Sequence, residues 1–408
     1  MNKKFKVVIL GSDINAYYMA RNFHEEYGIK SHLMIKTPML FTSTSKILTY
    51  ELVPGLWEKK PFLEALNNYA NNHKGEKIIL VASNDNYVRL IVENKKELEK
   101  KYLFNYPSLK IINNLLIKEN FYEFAAKYDI DIPKTYIYKC LKDKIVENNI
   151  KSFRYPLILK PSDGIKYHDH EFEGQAKVYK IKSFEELEKI INEIEESGYD
   201  DNLIIQEFIP GDDSMLFDSI FYCSTDKKVQ LMSFAQIGLQ EHTPTGIGNC
   251  TVLVNGFNEF NNTDAIKDKL INFLEEIGYQ GCAEFDLKYD VRDKKFKVFE
   301  INPRQARSSY YLTACGYNIA KYLVDDLIYH KKKEFHFIDE EMVLSFVPKR
   351  VIRDYISNEK LQEKIQELIK QKKFVNPLKY KKDNGLKRKV WLMIRDKNYI
   401  KKYQENEW

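Results

Sequence analysis

The sequence predicts a mixed α/β and α+β protein with more than one domain, and three observations carry that reading. At about 150 residues per domain, a chain of 408 residues divides into about two or three units. Through the first hundred residues, short apolar runs of strand type alternate with helical patterns, as in a parallel sheet. Beyond residue 280, two alternating strands follow one another across a charged turn, as in an antiparallel hairpin. An apolar fraction of 44% supports a substantial core and argues against a disordered chain.

The elements follow in order. Lys6 to Leu10 is a β-branched apolar run ending at Gly11, and Tyr17, Tyr18, Ala20 and Phe23 then recur at helical spacing. Lys77 to Ala82 is a second buried-strand run, closed by Ser83-Asn84-Asp85-Asn86, residues suited to a turn. Gly11-Ser12-Asp13 lacks the further glycines of a dinucleotide fingerprint, so no such site is assigned there. A helical pattern starts around Lys118, runs through Phe121, Phe124 and Ala125, and stops near Asp131-Ile132-Pro133. Tyr155 to Lys160 reads as a strand. Ser183-Phe-Glu-Glu186 is a capping box opening an amphipathic helix that ends at Gly198. Leu203 to Ile209 is another strand, and Ile266 to Ile277 a helix stopped by Gly278. Cys282–Tyr289 and Phe296–Ile301 form the hairpin.

Composition bounds the class. A charged fraction of 30% and a mean hydropathy of −0.49 argue against an integral membrane protein. Apolar runs such as Val7–Leu10 and Ile78–Ala82 fall far short of the roughly 20 residues of a spanning helix. The first residues carry no signal-peptide pattern, and the five cysteines are scattered without a C-x-x-C spacing. A reduced, cytoplasmic protein without a disulfide framework or zinc site is expected. The net charge of +5 hides an asymmetry: residues 371–403 hold twelve Lys or Arg against two Asp, a net +10, which leaves −5 for the rest.

The hairpin is the most informative stretch. Alternation places Glu284 and Asp286 on one face of its first strand, and Glu300 and Asn302 on one face of its second. Paired, Asp286, Glu300 and Asn302 can converge into a hard oxygen site suited to Mg²⁺. The alternative is the solvated polar face of an ordinary amphipathic hairpin. The residues just beyond Asn302 favour a site: Arg304, Arg307, Ser308 and Ser309 suit a charged, phosphorylated species. Lys160 ends an apolar strand ahead of the Pro161-Ser162-Asp163-Gly164 loop, and Lys118 starts a helix, so both could reach phosphates. The run from Leu203 to Ile209, followed by Pro210-Gly211-Asp212-Asp213, suits a linker whose backbone pairs with a purine edge.

In this order, Lys118, YPLILK ending at Lys160, IIQEFIPGDD at 204–213, FD at 285–286 and FEINPR at 299–304 resemble the ATP-grasp carboxylate–amine ligases. Over essentially its full length, including GSDINAYYMARNF at 11–23 and EINPRQARSSYYLTACG at 300–316, the chain resembles the D-aspartate ligases of Gram-positive peptidoglycan synthesis. The resemblance implies an ATP-grasp fold behind an N-terminal Rossmann-like pre-ATP-grasp domain. Its divisions would be residues 1–112, an ATP-grasp unit at 113–330 with a lid at about 150–208, and a basic C-terminal segment at 331–408. Lys118, Lys160 and, less strongly, Lys177 would meet the ATP phosphates. Gln206, Glu207, Phe208 and Ile209 would frame the adenine, with backbone groups of Glu207 and Ile209 on its edge, and Asp213 would hold the ribose. Asp286, Glu300 and Asn302 would bind one or two Mg²⁺, with Mn²⁺ as a substitute. Arg304 would stabilise the transferring phosphoryl group, and Arg307 would join it catalytically while binding amino-acid carboxylates with Ser308 and Ser309.

The reaction implied activates the side-chain carboxylate of D-aspartate as an acyl phosphate. It then couples that group to the lysine side-chain amine of a UDP-linked peptidoglycan pentapeptide precursor. An ATP-grasp ligase for a different amino acid or dipeptide would show the same ATP site. The sequence departs from the family in its phosphate-covering loop, SDGIKYHDHEFEGQ, where only Gly164 and Gly174 are glycine, and in Glu284, where some relatives carry a basic residue. His168 and His170 in that loop read as surface histidines rather than metal ligands. The tail, with aromatics among its cations, suits a packed C-terminal face, an anionic precursor or membrane surface, or single-stranded nucleic acid. A nucleic-acid partner is not expected, and oligomeric state is not readable.

Overall fold

The structure is a computed structural model that describes residues 5–163, 166–167, 169–243, 246, 248–260 and 263–406. Gly164 and His168 lie outside the described residues. Three sheets organise the chain. The first is parallel, in the order β3-β2-β1-β4, built from β1 (Phe5–Leu10), β2 (Ser31–Ile35), β3 (Leu48–Leu52) and β4 (Lys77–Ala82). The β1 and β4 runs are buried on both faces, which is why they read as continuous apolar segments rather than alternating ones. The Ile14–Tyr27 helix follows β1. Its Asp13 N-cap accepts from the Ala16 amide at 2.9 Å, and Gly28 closes it in the left-handed region. Gly11 sits between strand and helix at φ 113°, and a Cβ there would meet Ser83 Oγ at 2.1 Å, so only glycine lets the two strand ends approach.

The second sheet, β5-β8-β6-β7, is antiparallel, from β5 (Thr135–Lys139), β6 (Leu157–Pro161), β7 (Tyr179–Ile181) and β8 (Asn202–Glu207). It carries the Phe184–Glu196 helix, whose Leu187, Ile191 and Ile194 are fully buried against it. This sheet begins at Thr135, where β5 pairs with β8 from Thr135↔Gln206 to Lys139↔Asn202. Its central strand ends sooner than the apolar run suggested: Phe208 and Ile209 lie beyond Glu207. The helix cap matches the sequence pattern on one side, with the Glu186 amide donating to Ser183 Oγ. The Glu186 carboxylate takes the Lys182 amide rather than that of Ser183.

The third sheet is largest. Its order is β13-β12-β9-β10-β11-β15-β16, from β9 (Leu216–Cys223), β10 (Val229–Gln240), β11 (Cys250–Asn255), β12 (Gly281–Asp290), β13 (Lys295–Asn302), β15 (Met342–Ser345) and β16 (Phe374–Val375), with β14 (His336–Ile338) pairing on β10. The C-terminal segment therefore extends this largest sheet, through β14, β15 and β16. The Ile14–Tyr27 helix packs between the first and third sheets: Tyr17, Tyr18 and Phe23, all at 0% exposure, share one core with Tyr311, Leu312 and Val324. The chain also makes a close approach at Gly281, φ 92°, where a Cβ would lie 2.2 Å from the Asn105 carbonyl oxygen. The basic tail is mainly the Leu386–Glu405 helix, with Arg388, Arg395, Tyr399 and Tyr403 buried on its inner side. Arg388, 1% exposed, stacks on Tyr17 at 3.9 Å and pairs with Asp383, 2% exposed, so part of the tail's charge is internal structure.

Candidate active site

The β12–β13 hairpin forms, and its end near the carboxylates keeps the expected pairs. Asp286 stands opposite Glu300, and Glu284 opposite Asn302. The register then shifts between Asp286 and Leu287, whose partner is Val298, so Phe299 is the extra residue of a bulge. The bulge has a consequence for the chemistry. Phe296, Val298 and Ile301 are all buried in the hydrophobic core, although Ile301 has the opposite parity to the other two. One inserted residue keeps the apolar face intact and turns Glu300 and Asn302 to the other side. The Phe299 carbonyl accepts from Tyr122 Oη at 3.2 Å, and the same hydroxyl accepts from Lys160 Nζ at 3.1 Å. Tyr122 thus ties the bulge, the Lys118–Lys127 helix and the end of β6 together. Tyr122→Phe is expected to cost about 1 kcal/mol in urea unfolding and to raise the KM for ATP several-fold; an unchanged KM would show that Lys160 is held without it.

The lysines converge on Glu300. Burial pushes that carboxyl up, but Lys118, Lys160, Lys177 and a hydrogen bond from Asp286 outweigh it, leaving Glu300 below the usual range. Asp286 goes the other way, held well above its ordinary value by burial and by Glu284, Glu300 and Asp218. The two carboxyls thus shift in opposite directions, Asp286 upward and Glu300 downward. Lys118 occupies the first turn of its helix, at the positive end of the dipole and near Lys160; burial, then that like charge, lowers it. A bound polyanion would relieve both strains.

Burial takes Lys160 down to about 8, against the pull of Glu300. In the unfolded chain a lysine holds its proton to about pH 10.4. The charged ammonium therefore costs stability, and that cost is relieved as pH rises from about 8 to about 10.4. Phosphate favours the charged form, so ATP binding at about pH 9 should take up a proton. Calorimetry in buffers of different ionisation enthalpy should detect uptake there and little at about pH 6.5, with Lys160→Met abolishing the difference.

Arg304 is enclosed by acids. It donates to Glu284 Oε2 at 3.0 Å and to Asn302 Oδ1 at 3.1 Å, and its Nε lies 3.2 Å from Asp85 Oδ1 without hydrogen-bond alignment. Burial acts against its charge, but Asp85, Glu284, Tyr18 and Asp286 raise its pKa. Asp85 opens the helix after β4, and Gln305 Nε2 donates to the Ala82 carbonyl at 2.8 Å. The carboxyl ends of the parallel strands thus supply one wall of the site, where open α/β sheets place their ligands. Glu284, the family departure, is the Arg304 partner.

Among the described residues, Asp218 Oδ1 near Arg304 is buried without a hydrogen-bond partner, and Arg304 Nε and Asp85 Oδ1 have only their ion pair with each other. Tyr18 feels Ser309, Glu284, Arg304 and Asp13, and Asp218 faces Asp286 across β9 and β12. An unpaired buried polar atom is costly, and a polar ligand would satisfy it. Arg307 lies apart from Arg304, 3.6 Å from Glu241 Oε1 and over the Phe346 ring at 5.1 Å. Glu241 also takes the Tyr399 hydroxyl from the C-terminal helix.

Not every expected contact is available. Ser308 donates to Asp218 and Ser309 to the Ala306 carbonyl at 2.9 Å; with exposures of 1% and 0%, both hydroxyls are turned inward. Of that trio Arg307 alone offers donors toward a carboxylate. Asp213 is engaged by the Gln240 amide at 2.9 Å and the Gln240 side chain at 2.6 Å. Gln206 is 3% exposed and donates to Thr135. The Glu207 amide donates to the Lys134 carbonyl and the Phe208 amide to Pro156, so any contact of Glu207 with an adenine edge falls to its carbonyl. The Phe208 ring lies between Lys180 at 4.5 Å and Lys288 at 5.2 Å, and Lys288 in turn faces Asp213. Lys177 is exposed. His170 contacts the Ser197 carbonyl at 3.2 Å.

The donor set fits Mg²⁺. Two buried carboxylates facing each other across the hairpin form a hard oxygen site whose mutual repulsion a divalent cation would neutralise. Asn302 needs adjustment, since its NH₂ faces Asp286 at 3.2 Å and its oxygen faces Arg304. A half-turn of the amide would present the oxygen to the carboxylates. Among the described residues, no group of three or more His, Cys, Asp or Glu is arranged as a metal cage.

No protein-family model matches the chain. The D-aspartate ligase of Enterococcus faecium (strain Aus0004) is 32% identical over 419 residues, covering 99% of this chain and 97% of that protein. Among solved structures, the ADP complex of N5-carboxyaminoimidazole synthetase from Staphylococcus aureus superposes with a TM-score of 0.62 at 13% identity, covering 90% of this chain and 88% of that one. The L-amino acid ligase from Bacillus licheniformis gives a TM-score of 0.57 at 14% identity, over 80% and 75%.

Proposed function

The chain belongs to the D-aspartate ligase family of ATP-grasp enzymes and is an ATP-dependent carbon–nitrogen ligase, and from that premise we propose that it joins the side-chain carboxylate of D-aspartate to the lysine amine of a UDP-linked peptidoglycan pentapeptide. The observation that carries the reading is the array on one wall: Lys118, Lys160 and Lys177 around Glu300, beside Arg304 and the unpaired buried Asp218 Oδ1. This array sorts positive charge for a triphosphate from a polar recess for a small zwitterion.

A carboxylate oxygen attacks the γ-phosphorus of ATP, the bond to ADP breaks, and an acyl phosphate forms. The lysine amine then attacks the acyl carbon, phosphate departs, and the amine loses a proton. Lys118 and Lys160 hold the phosphates and offset repulsion between the two reacting anions. Asp286 and Glu300, with Asn302 after its amide turns, would hold Mg²⁺, which supplies charge neutralisation at the γ-phosphate. Arg304 faces the transferring group. Arg307, rather than the serines, takes the remaining substrate carboxylate. Phe208, with Lys180 and Lys288, borders the base, and Asp213 borders the ribose. The β5–β8 lid closes over the nucleotide and keeps water from the acyl phosphate. The reaction belongs in the cytoplasm, where ATP and the nucleotide-linked precursor meet.

The test supplies ATP, Mg²⁺ and each D- or L-amino acid in turn, with hydroxylamine as surrogate amine. Hydroxamate and ADP are expected with D-aspartate alone. Product with another acid or a dipeptide would remove D-aspartate as donor, and absence of ADP with every acid would remove the ligase reading of the site.

A further inference from the structure

The Leu386–Glu405 helix has two faces of different kind. Its inner face is packed: Arg388 donates to the Phe41 carbonyl at 2.8 Å, Arg395 to the Phe346 carbonyl at 2.5 Å, and the Tyr403 hydroxyl to the Gln240 carbonyl at 2.6 Å. Its outer face exposes large apolar side chains: Leu386 at 79%, Val390 at 43%, Met393 at 56% and Ile394 at 51%. At 3.6 residues per turn these positions form one stripe along the helix. Lys397 and Lys401 continue the stripe, Lys387 and Lys389 flank it, and all four are exposed. Lys401 pairs with Glu405 at 3.4 Å. Among the described residues, Lys387, Lys389 and Lys397 pair with no carboxylate. At the border of this face, Phe41 meets Trp391 edge to face at 5.3 Å, and Met39 and Leu40, next to Phe41 in the chain, are 42% and 49% exposed.

We propose that this outer face docks the protein on an anionic lipid surface. An exposed apolar stripe edged by lysines can sink between headgroups while its ammonium groups reach lipid phosphates. The charge pattern disfavours other occupants. A second copy laid stripe to stripe would set lysines against lysines. Single-stranded nucleic acid needs aromatic platforms, and Tyr399 and Tyr403 are turned inward while Trp391 packs on Phe41. No helix among the described residues is long and apolar enough to cross a membrane, so the contact is peripheral. Contacts of this helix with the candidate active site run through the inner residues Arg395 and Tyr399, so docking leaves them in place.

The full-length protein should be co-sedimented with vesicles of phosphatidylglycerol and phosphatidylcholine, and separately with phosphatidylcholine alone. Binding to the anionic vesicles that weakens with salt is expected, with little binding to the neutral ones. Each lysine removed should weaken partitioning about fivefold, so the triple variant K387Q/K389Q/K397Q should lose roughly a hundredfold. L386S/M393S should also lose binding, although its charge is unchanged. Both variants should keep normal ATP turnover in vesicle-free solution, which verifies folding. The proposal falls if the wild type stays in the supernatant, if it binds neutral vesicles equally, or if either variant binds as the wild type does. It falls too if the face captures an oligonucleotide or an acidic protein while leaving anionic vesicles alone.

Discussion

Arg304→Ala is expected to lower turnover by on the order of 10²–10³-fold while the KM for ATP changes far less. The guanidinium sits at the junction of three elements, bonded to Glu284 and Asn302 of the hairpin strands and 3.2 Å from Asp85 at the start of the helix after β4. Its Nε is buried and pairs with Asp85 without hydrogen-bond alignment. A contact that strengthens as charge develops on the transferring phosphoryl group affects kcat before binding. The substitution also strands Glu284, 8% exposed, as a buried carboxylate without its cation. Removing one partner of such a pair costs about 3–5 kcal/mol, so a urea melt must accompany the kinetics. Arg304→Lys keeps the charge without the fork and should retain stability better than turnover. Turnover close to wild type in a folded alanine variant would end the assignment.

Glu300→Gln is the second large effect. The change preserves shape and removes one charge from the point where three lysine fields meet. ADP formation at saturating Mg²⁺ should fall by at least about a hundredfold, and the Mg²⁺ concentration needed should rise about 10–100-fold, as for lost support around a metal. Mn²⁺ binding followed by electron paramagnetic resonance should weaken in parallel, independent of catalysis. Because the Glu300 charge raises Lys160, its removal should also lower that lysine further below about 8, moving the onset of proton uptake on ATP binding to lower pH. If the glutamine variant kept full activity, the hairpin would not be the cation site.

Much of this centre was legible because short-range rules governed it. Alternation put Glu284 with Asp286 and Glu300 with Asn302, and the register pairs Asp286 with Glu300, although the period of two breaks at Phe299. The order of Lys118, Lys160 and the hairpin led to the ATP-grasp fold, which the structural neighbours share. Long-range partners were not legible. Asp85 lies far from Arg304 along the chain, and the only local signal was its place just after a buried strand, the end of the sheet where ligands bind. Tyr122 looked like one more aromatic on a helix, although its hydroxyl joins Lys160 to the bulge. Ser308 and Ser309 looked available because hydroxyls beside arginines suit carboxylates. Their inward turn depends on Asp218 and on the local loop.

The basic tail divides along the same line. By itself the sequence determined its charge, its interleaved aromatics and the acidity of the remaining chain, since these follow from composition. It also determined the alternation of the hairpin and the motif order that leads to an ATP-dependent ligase, because strand parity and motif spacing are local properties. The tertiary structure alone decided which tail cations turn inward, as Arg388 and Arg395 do, and which edge an exposed apolar stripe. It alone inserted Phe299 as a bulge, so that Ile301 stays in the core while Glu300 faces the lysines. The physical reason is common to both: burial and charge pairing are set by neighbours distant in sequence, and a single inserted residue reverses which face of a strand those neighbours meet.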